Sequence, residues 1–306
     1  MAYKERTKPH ELRVLEILNS RSHLSPDHQQ YLYNLKKGYE GELAFDQRTE
    51  ELQCDCLILN DLLLKEGQTT FQIDSLIIMS GKLYIFDVKN HEGNHYFESD
   101  KFFKMPNYEI SNPLHQLNRC ESLLRKLLQK SGYSLSIESF VVFINSTFTL
   151  YNAPRNPSII LPTQIHQFLA QLDSTPSKIT QKHRKLADTL ISLHIDKYPY
   201  SQPMDYNYAN LAKGISCPKC YSLSTILEGR YCGCKNCGHK EVFATAIMRS
   251  VEEFQTLFPD EKITTNKIYD WCKIVPVKKR IRRVLSKNLR VKGVRQWTYY
   301  EKMPDS

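Results

Sequence analysis

The stretch FQIDSLIIMSGKLYIFDVKN, residues 71–90, holds two apolar runs that each carry an acid, Asp74 in the first and Asp87 in the second, with Lys89 two residues further on. Such runs read as strands, and Ser80-Gly81 between them predicts a two-residue hairpin turn. Met79 then pairs with Lys82, and counting outward sets Asp74 opposite Asp87. Opposed Cβ atoms lie about 4.5–5.5 Å apart, where like charges repel. A hard dication resolves that conflict, because Mg²⁺ or Mn²⁺ prefers oxygen ligands and uses one or two carboxylates together with substrate phosphate and water. Lys89 falls on the same strand face as both acids. This set can polarise a phosphodiester, generate hydroxide and offset developing charge. Two surface acids at strand ends are the plainer alternative, and the matched register and apolar setting weigh against it.

A second constellation is CPKC with CKNCGH, which places Cys217, Cys220, Cys234 and Cys237 as two C-x-x-C pairs thirteen residues apart. Each pair offers two thiolates from one tight turn, and two turns close a tetrahedral, structural Zn²⁺ site. The pattern resembles a zinc ribbon. Cys232 competes with Cys234 for one ligand position, and His239 is a more distant candidate.

Between Lys273 and Arg295 there are ten Lys or Arg and no Asp or Glu. A helix, a turn, a second helix opened by Pro276 and a hairpin turning near Gly293 resemble a winged helix-turn-helix. Lys278, Lys279, Arg282 and Arg283 face outward, with Lys287, Arg290 and Arg295 following, and the partner they imply is nucleic acid. A solvated charged face is the bland reading, but mixed charges would serve solubility as well.

The elements that must position these residues follow from periodicity. Helices are expected at HELRVLEILNS, from Gly38 to Leu52, from Pro113 with Asn112 as cap, near Gln164 to Leu172 and from Lys178 to Ile195. Strands are expected at CDCLILNDLLL, in the hairpin, in NHYFESDKFFKM and in IESFVVFI, and DKYPYSQPMDYNYANLAKG reads as a linker. In the tail, helices are expected from Ser250 to Phe258, Thr264 to Cys272 and Pro276 to Leu289.

GYEGE, FQID, IFDVKN and NPLHQ occur in the order and approximate spacing of the nuclease-related domain, a branch of the PD-(D/E)xK nuclease superfamily that the chain resembles from roughly Gly38 to Leu128. The resemblance implies an α/β fold with a restriction-endonuclease-like mixed sheet flanked by helices. It also implies Asp74 and Asp87 as metal ligands, Lys89 as the catalytic lysine, Glu42 as a further acid and Gln116 as a helix residue near the site. The chain departs from the family in having Asp87 where Glu is usual. Glu42 shares a helix face with Phe45 and Leu52, and Gln116 shares one with Cys120 and Leu127, so both are expected to point inward. His91, just past the lysine, is a weaker candidate for proton transfer.

Net charge is +9 over 306 residues, and 14 basic against 7 acidic side chains from Val242 to Ser306 put most of the excess in the tail. No run is long enough to span a bilayer and no secretory signal opens the chain, so a cytoplasmic protein is expected. Reduced cysteines there favour metal over disulfides. No Gly-rich phosphate loop points to an ATPase. The expected organisation is a nuclease-related domain over 1–201, a zinc ribbon over 213–241 and a winged-helix-like domain over 245–303. The function it implies is Mg- or Mn-dependent phosphodiester hydrolysis, in DNA. The alternative is a DNA-binding regulator whose nuclease fold is catalytically silent.

Overall fold

A computed structural model describes residues 2–195 and 205–303. They divide into two units, Met1–Lys8 with Tyr33–Tyr200 and Pro9–Leu32 with Ser201–Ser306. Residues 196–204 of the expected linker lie outside the described residues. In chain order the elements begin with α1 (His10–Arg21) and α2 (Pro26–Thr49), then β1 (Leu57–Glu66), β2 (Thr69–Ile78), β3 (Lys82–Lys89), β4 (Gly93–Glu98), β5 (Lys101–Lys104) and β6 (Tyr108–Ile110). There follow α3 (Pro113–Lys130), β7 (Ser136–Phe143), β8 (Phe148–Tyr151), β9 (Ile159–Ile160), α4 (Ile165–Asp173) and α5 (Gln181–Ser192).

The first unit is built on a five-stranded mixed sheet in the order β1-β2-β3-β7-β9. The first three strands are antiparallel, while β3, β7 and β9 run parallel. A parallel step demands a crossover, and α3 lies in the one between β3 and β7. Pro113 at its first turn and the Asn112 side chain, which accepts from the Leu114 N–H at 3.0 Å, start α3 where its apolar stripe begins. Leu117, Leu124 and Leu128 then bury against Leu76, Ile78, Leu83 and Ile85. On the opposite face, Phe45 of α2 and Ile165, Leu169 and Leu172 of α4 pack with Ile77, Phe86 and Val142. A sheet covered on both faces explains why β2 and β3 are apolar almost throughout. A second sheet, β6-β5-β4-β8, extends this unit.

In the second unit, the remaining elements are β10 (Thr225–Glu228), β11 (Tyr231–Cys234), β12 (Lys240–Val242), α6 (Phe243–Leu257), α7 (Thr265–Cys272), α8 (Lys278–Asn288), β13 (Arg290–Lys292) and β14 (Tyr299–Glu301). Strands β10-β11-β12 make a small antiparallel sheet, and β13-β14 make a hairpin after three helices. Trp271, Phe254, Ile268, Ile281 and Leu285 are fully buried at its centre, and α1 packs on α6. Arg21 of α1 is buried too: it donates to the carbonyls of Ala212 and Gly214 and to Glu253, and lies 3.9 Å over the Trp271 ring. No helix among the described residues is long and apolar enough to cross a membrane.

Candidate active site and metal centre

The β2–β3 pairing runs Ile78↔Leu83, Ile77↔Tyr84, Leu76↔Ile85 and Ser75↔Phe86, so its next step sets Asp74 against Asp87. The Met79 N–H donates to the Lys82 carbonyl at 3.0 Å and closes the turn as the sequence leads one to expect. Alternation puts Asp87 and Lys89 on the face of Leu83 and Ile85, beneath α3. Asp74 Oδ2 accepts the Val88 N–H at 2.8 Å. Lys89 Nζ donates to Asp87 Oδ1 at 2.9 Å and to Gln116 Oε1 at 3.0 Å. Asp87 Oδ2 is buried and has no hydrogen-bond partner.

Electrostatics follow from that burial. Desolvation, then the neighbouring Asp87, pushes the Asp74 carboxyl well above the usual range, with Lys89, the Val88 N–H and Arg6 pulling it back. Desolvation raises Asp87 as well, against Lys89. Burial works against the charge on Lys89, but Asp87, Asp74 and Glu42 outweigh it and hold the ammonium. A bare carboxylate pair with an orphaned oxygen is costly in such a setting. A hard cation between Asp74 and Asp87 would supply the missing partner, so the donor set fits a Mg²⁺ or Mn²⁺ ion. Gln72, Ile73, Asp74, Asp87, Gln116 and Cys120 line a small cavity there, about 10 Å³, room for one water-sized guest.

Glu42 joins this cluster through Arg6. Arg6 donates from Nη1 to Glu42 Oε2 at 2.7 Å, from Nε and Nη2 to Asp46 at 2.7 and 3.0 Å, and from Nη2 to the Asp74 carbonyl at 2.6 Å. Desolvation, then Asp74, raises the Glu42 carboxyl, and Arg6 opposes them. Gly41 explains how α2 approaches so closely: a Cβ there would lie 2.5 Å from Asn90 Cβ. Asn90 fastens the contact by donating to the Lys37 carbonyl at 2.7 Å. The strand end that carries Lys89 and the helix that carries Glu42 are thereby locked together.

The structure thus gathers Asp74, Asp87, Lys89 and Gln116 and places Glu42 next to them through Arg6. Gln116 is exposed at the mouth, and its side chain lines the cavity and reaches Lys89. Arg6 escapes sequence reasoning, because an arginine 68 residues from Asp74 in an N-terminal charged run carries no local signal. His91 sits among His95, Phe102 and Phe143, where burial, then His95 and nearby lysines, pushes its pKa down to about 4. That makes it a neutral packing group near pH 7.

The candidate metal centre of the second unit is a cluster of four cysteines. Among the described residues, Cys217, Cys220, Cys234 and Cys237 are the one set of three or more such side chains whose ligand atoms all lie within 4.8 Å of one another. The Sγ–Sγ distances of Cys217–Cys237 and Cys220–Cys234 are both 3.6 Å. A tetrahedron with Zn–S bonds of about 2.3 Å has edges of roughly 3.8 Å, so the cluster fits zinc. Both halves share one backbone pattern. Cys217 N–H donates to Ser222 O while Tyr221 N–H donates to Cys217 O, and Cys234 N–H donates to His239 O while Gly238 N–H donates to Cys234 O. Tyr221 and Gly238 take matching left-handed φ values of 58° and 71°. Cys232 is buried between Leu227 and Glu241 in the β10-β11-β12 sheet, outside the cluster, and His239 contributes its carbonyl rather than its ring.

Lys278, Lys279, Arg282, Arg283 and Lys287 of α8 are exposed, as are Arg290 and Arg295 around the hairpin, while Ile281, Val284, Leu285 and Leu289 are buried. Arg280 is the basic residue of α8 turned back on its own unit, donating to the Gly229 carbonyl and lying 4.4 Å over Phe243. No curated protein and no solved structure gives a significant match to the chain. Residues 37–144, the span that carries Glu42, Asp74, Asp87, Lys89 and Gln116, match the family model of the nuclease-related domain.

Proposed function

We propose that the chain is a Mg- or Mn-dependent nuclease that hydrolyses phosphodiester bonds, in DNA, with Asp74 and Asp87 as metal ligands and Lys89 as the catalytic lysine. The observation that carries this reading is the buried Asp87 Oδ2, left without a partner beside a second raised carboxyl while Lys89 occupies the other Asp87 oxygen. When bound, the cation supplies Lewis acidity and a hydroxide at neutral pH. The chain's own groups do the rest. Lys89 presents an ammonium beside the scissile phosphate, and Gln116, exposed at the mouth, fixes the direction of that ammonium through its 3.0 Å hydrogen bond. Glu42, poised by Arg6, is a carboxyl able to take up or return a proton at the same rim. The match to a nuclease-related domain supports this chemistry in general terms.

In this reading the zinc ribbon (213–241) and a winged-helix-like domain (245–303) hold nucleic acid through Lys278, Lys279, Arg282, Arg283, Lys287, Arg290 and Arg295. Three helices followed by a hairpin, with a cationic exposed face on the last helix, support it. Such a face gives salt-sensitive phosphate affinity. Tethering raises the local concentration of substrate without new contacts at the reacting bond. The test is cleavage of plasmid DNA and of RNA with and without Mg²⁺ or Mn²⁺, with Asp87→Asn and Lys89→Ala as controls. Metal-dependent cutting of DNA lost in both variants is expected. No cutting of any substrate by the native protein would favour a DNA-binding regulator with a silent nuclease fold.

A further inference from the structure

The hairpin after α8 displays apolar surface that its own fold does not use. Trp297 is 75 % exposed, Val294 73 % and Val291 48 %, whereas the other tryptophan, Trp271, is fully buried. The loop that carries them is built, not slack. Gly293 takes φ 71° and Arg295 φ 51°, and a Cβ on Gly293 would meet the Trp297 carbonyl oxygen at 2.4 Å. Trp297 N–H donates to Val294 O at 3.1 Å, and Thr298 donates to Arg295 O from its N–H at 3.3 Å and its hydroxyl at 2.7 Å. Tyr300 anchors the base of the hairpin, 2 % exposed, with its N–H on the Ile263 carbonyl at 2.9 Å. Arg290 and Arg295, both exposed, precede the indole in sequence by seven and two residues.

An exposed indole among arginines has a specific chemical use. Aromatic rings stack on nucleobase faces while neighbouring cations track the phosphates, and that pairing is the signature of single-strand binding. In an intact duplex every base face is already stacked, so an indole gains nothing there beyond backbone contact. We infer that the β13–β14 hairpin, with Trp297 at its tip, stacks on an unpaired nucleobase, so that the tail takes single-stranded or frayed nucleic acid in preference to closed duplex. This rests on the reading of the tail as a nucleic-acid-binding module and adds to it a base-stacking residue and a strandedness. An anionic membrane surface is the other ligand for indole and arginine together, and one ring with two valines is small apolar area for it.

Because Trp271 is sealed in the core, Trp297 dominates any ligand-dependent change in tryptophan emission. The zinc-loaded protein is titrated with a single-stranded oligonucleotide and with a duplex of the same composition whose ends are closed by non-nucleotide linkers, reading emission and the anisotropy of labelled strand. The single strand should quench the emission and bind at least about fivefold more tightly than the duplex. Trp297→Ala should abolish that preference and leave duplex binding unchanged, while Trp297→Phe should keep it. Equal binding of both ligands by native protein and by Trp297→Ala would overturn the inference and leave the tail as a phosphate binder. A response to phosphatidylserine vesicles but not to oligonucleotides would overturn both the inference and the nucleic-acid reading, as would no binding to either.

Discussion

Arg6 Nη2 donates to the backbone carbonyl of Asp74 at 2.6 Å, while the rest of the same guanidinium holds Glu42 and Asp46. One side chain, 2 % exposed, therefore fixes the acid-bearing strand relative to the acid-bearing helix. Removing it leaves one buried and one partly buried acid without their cation. Arg6→Met should destabilise the first unit by about 3–5 kcal/mol, read by chemical denaturation. Arg6→Lys, which keeps charge but not the planar fork, should recover only part of that loss. A variant as stable as the native protein would show that the clamp contributes nothing.

Gly41 makes a separate claim on the same helix. Its Cβ would meet Asn90 Cβ at 2.5 Å, and Asn90 follows Lys89 directly. Gly41→Ala should therefore push α2 off the end of β3, cost about 1–3 kcal/mol and lower cleavage. Gly38→Ala is the control, because nothing lies within 4 Å of a Cβ there. It should be neutral or slightly stabilising in the helix. Equal effects at both positions would contradict the close approach.

Zinc content distinguishes two cysteines that lie two residues apart on one strand. Cys234→Ser should lose zinc and the folded ribbon, and Cys232→Ser should keep about one zinc per chain, as judged by elemental analysis of the purified proteins. Zinc retained by Cys234→Ser and lost by Cys232→Ser would reverse the assignment.

His91 gives a pH dependence with a definite sign. Its folded pKa, pushed down to about 4 by burial, then by His95 and by Lys89, Lys37 and Lys104, lies below the unfolded value. The unfolded chain therefore binds the proton first as pH falls from about 6.5 toward 4, and stability is lost in that window. The native protein should lose about 1–2 kcal/mol between pH 7 and pH 5 from this site, and His91→Phe should lose less, followed by circular dichroism. Identical pH profiles would remove His91 from the account.

Much of the site was legible because its geometry is local. A two-residue turn at Ser80-Gly81 sets the β2–β3 register, and register alone opposes Asp74 and Asp87. Asn112 and Pro113 announce α3, hence Gln116, by cap chemistry alone. Residues far apart in sequence were not legible: Arg6 reaches Asp74 across 68 positions, and nothing near Arg6 says so. Gly38 reads as a helix start, but α2 begins at Pro26 and passes through both Gly38 and Gly41, because Gly41 is needed for packing rather than for a turn. Likewise α6 starts at Phe243, seven residues before the expected Ser250, since Phe243, Ala246 and Ile247 extend the same buried stripe. Both C-x-x-C turns were readable from spacing, whereas the choice between Cys232 and Cys234 depended on the strand pairing of β11.

In the proposed function, Asp74 and Asp87 hold a hard divalent cation beside Lys89. The most direct measurement is calorimetric titration of Mn²⁺ and Mg²⁺ into the full-length, zinc-loaded protein, with and without an oligonucleotide. Uptake of divalent metal is expected, and Asp87→Asn should abolish it while leaving the fold intact by circular dichroism. No uptake by the native protein under either condition, or uptake unchanged in Asp87→Asn, would contradict it.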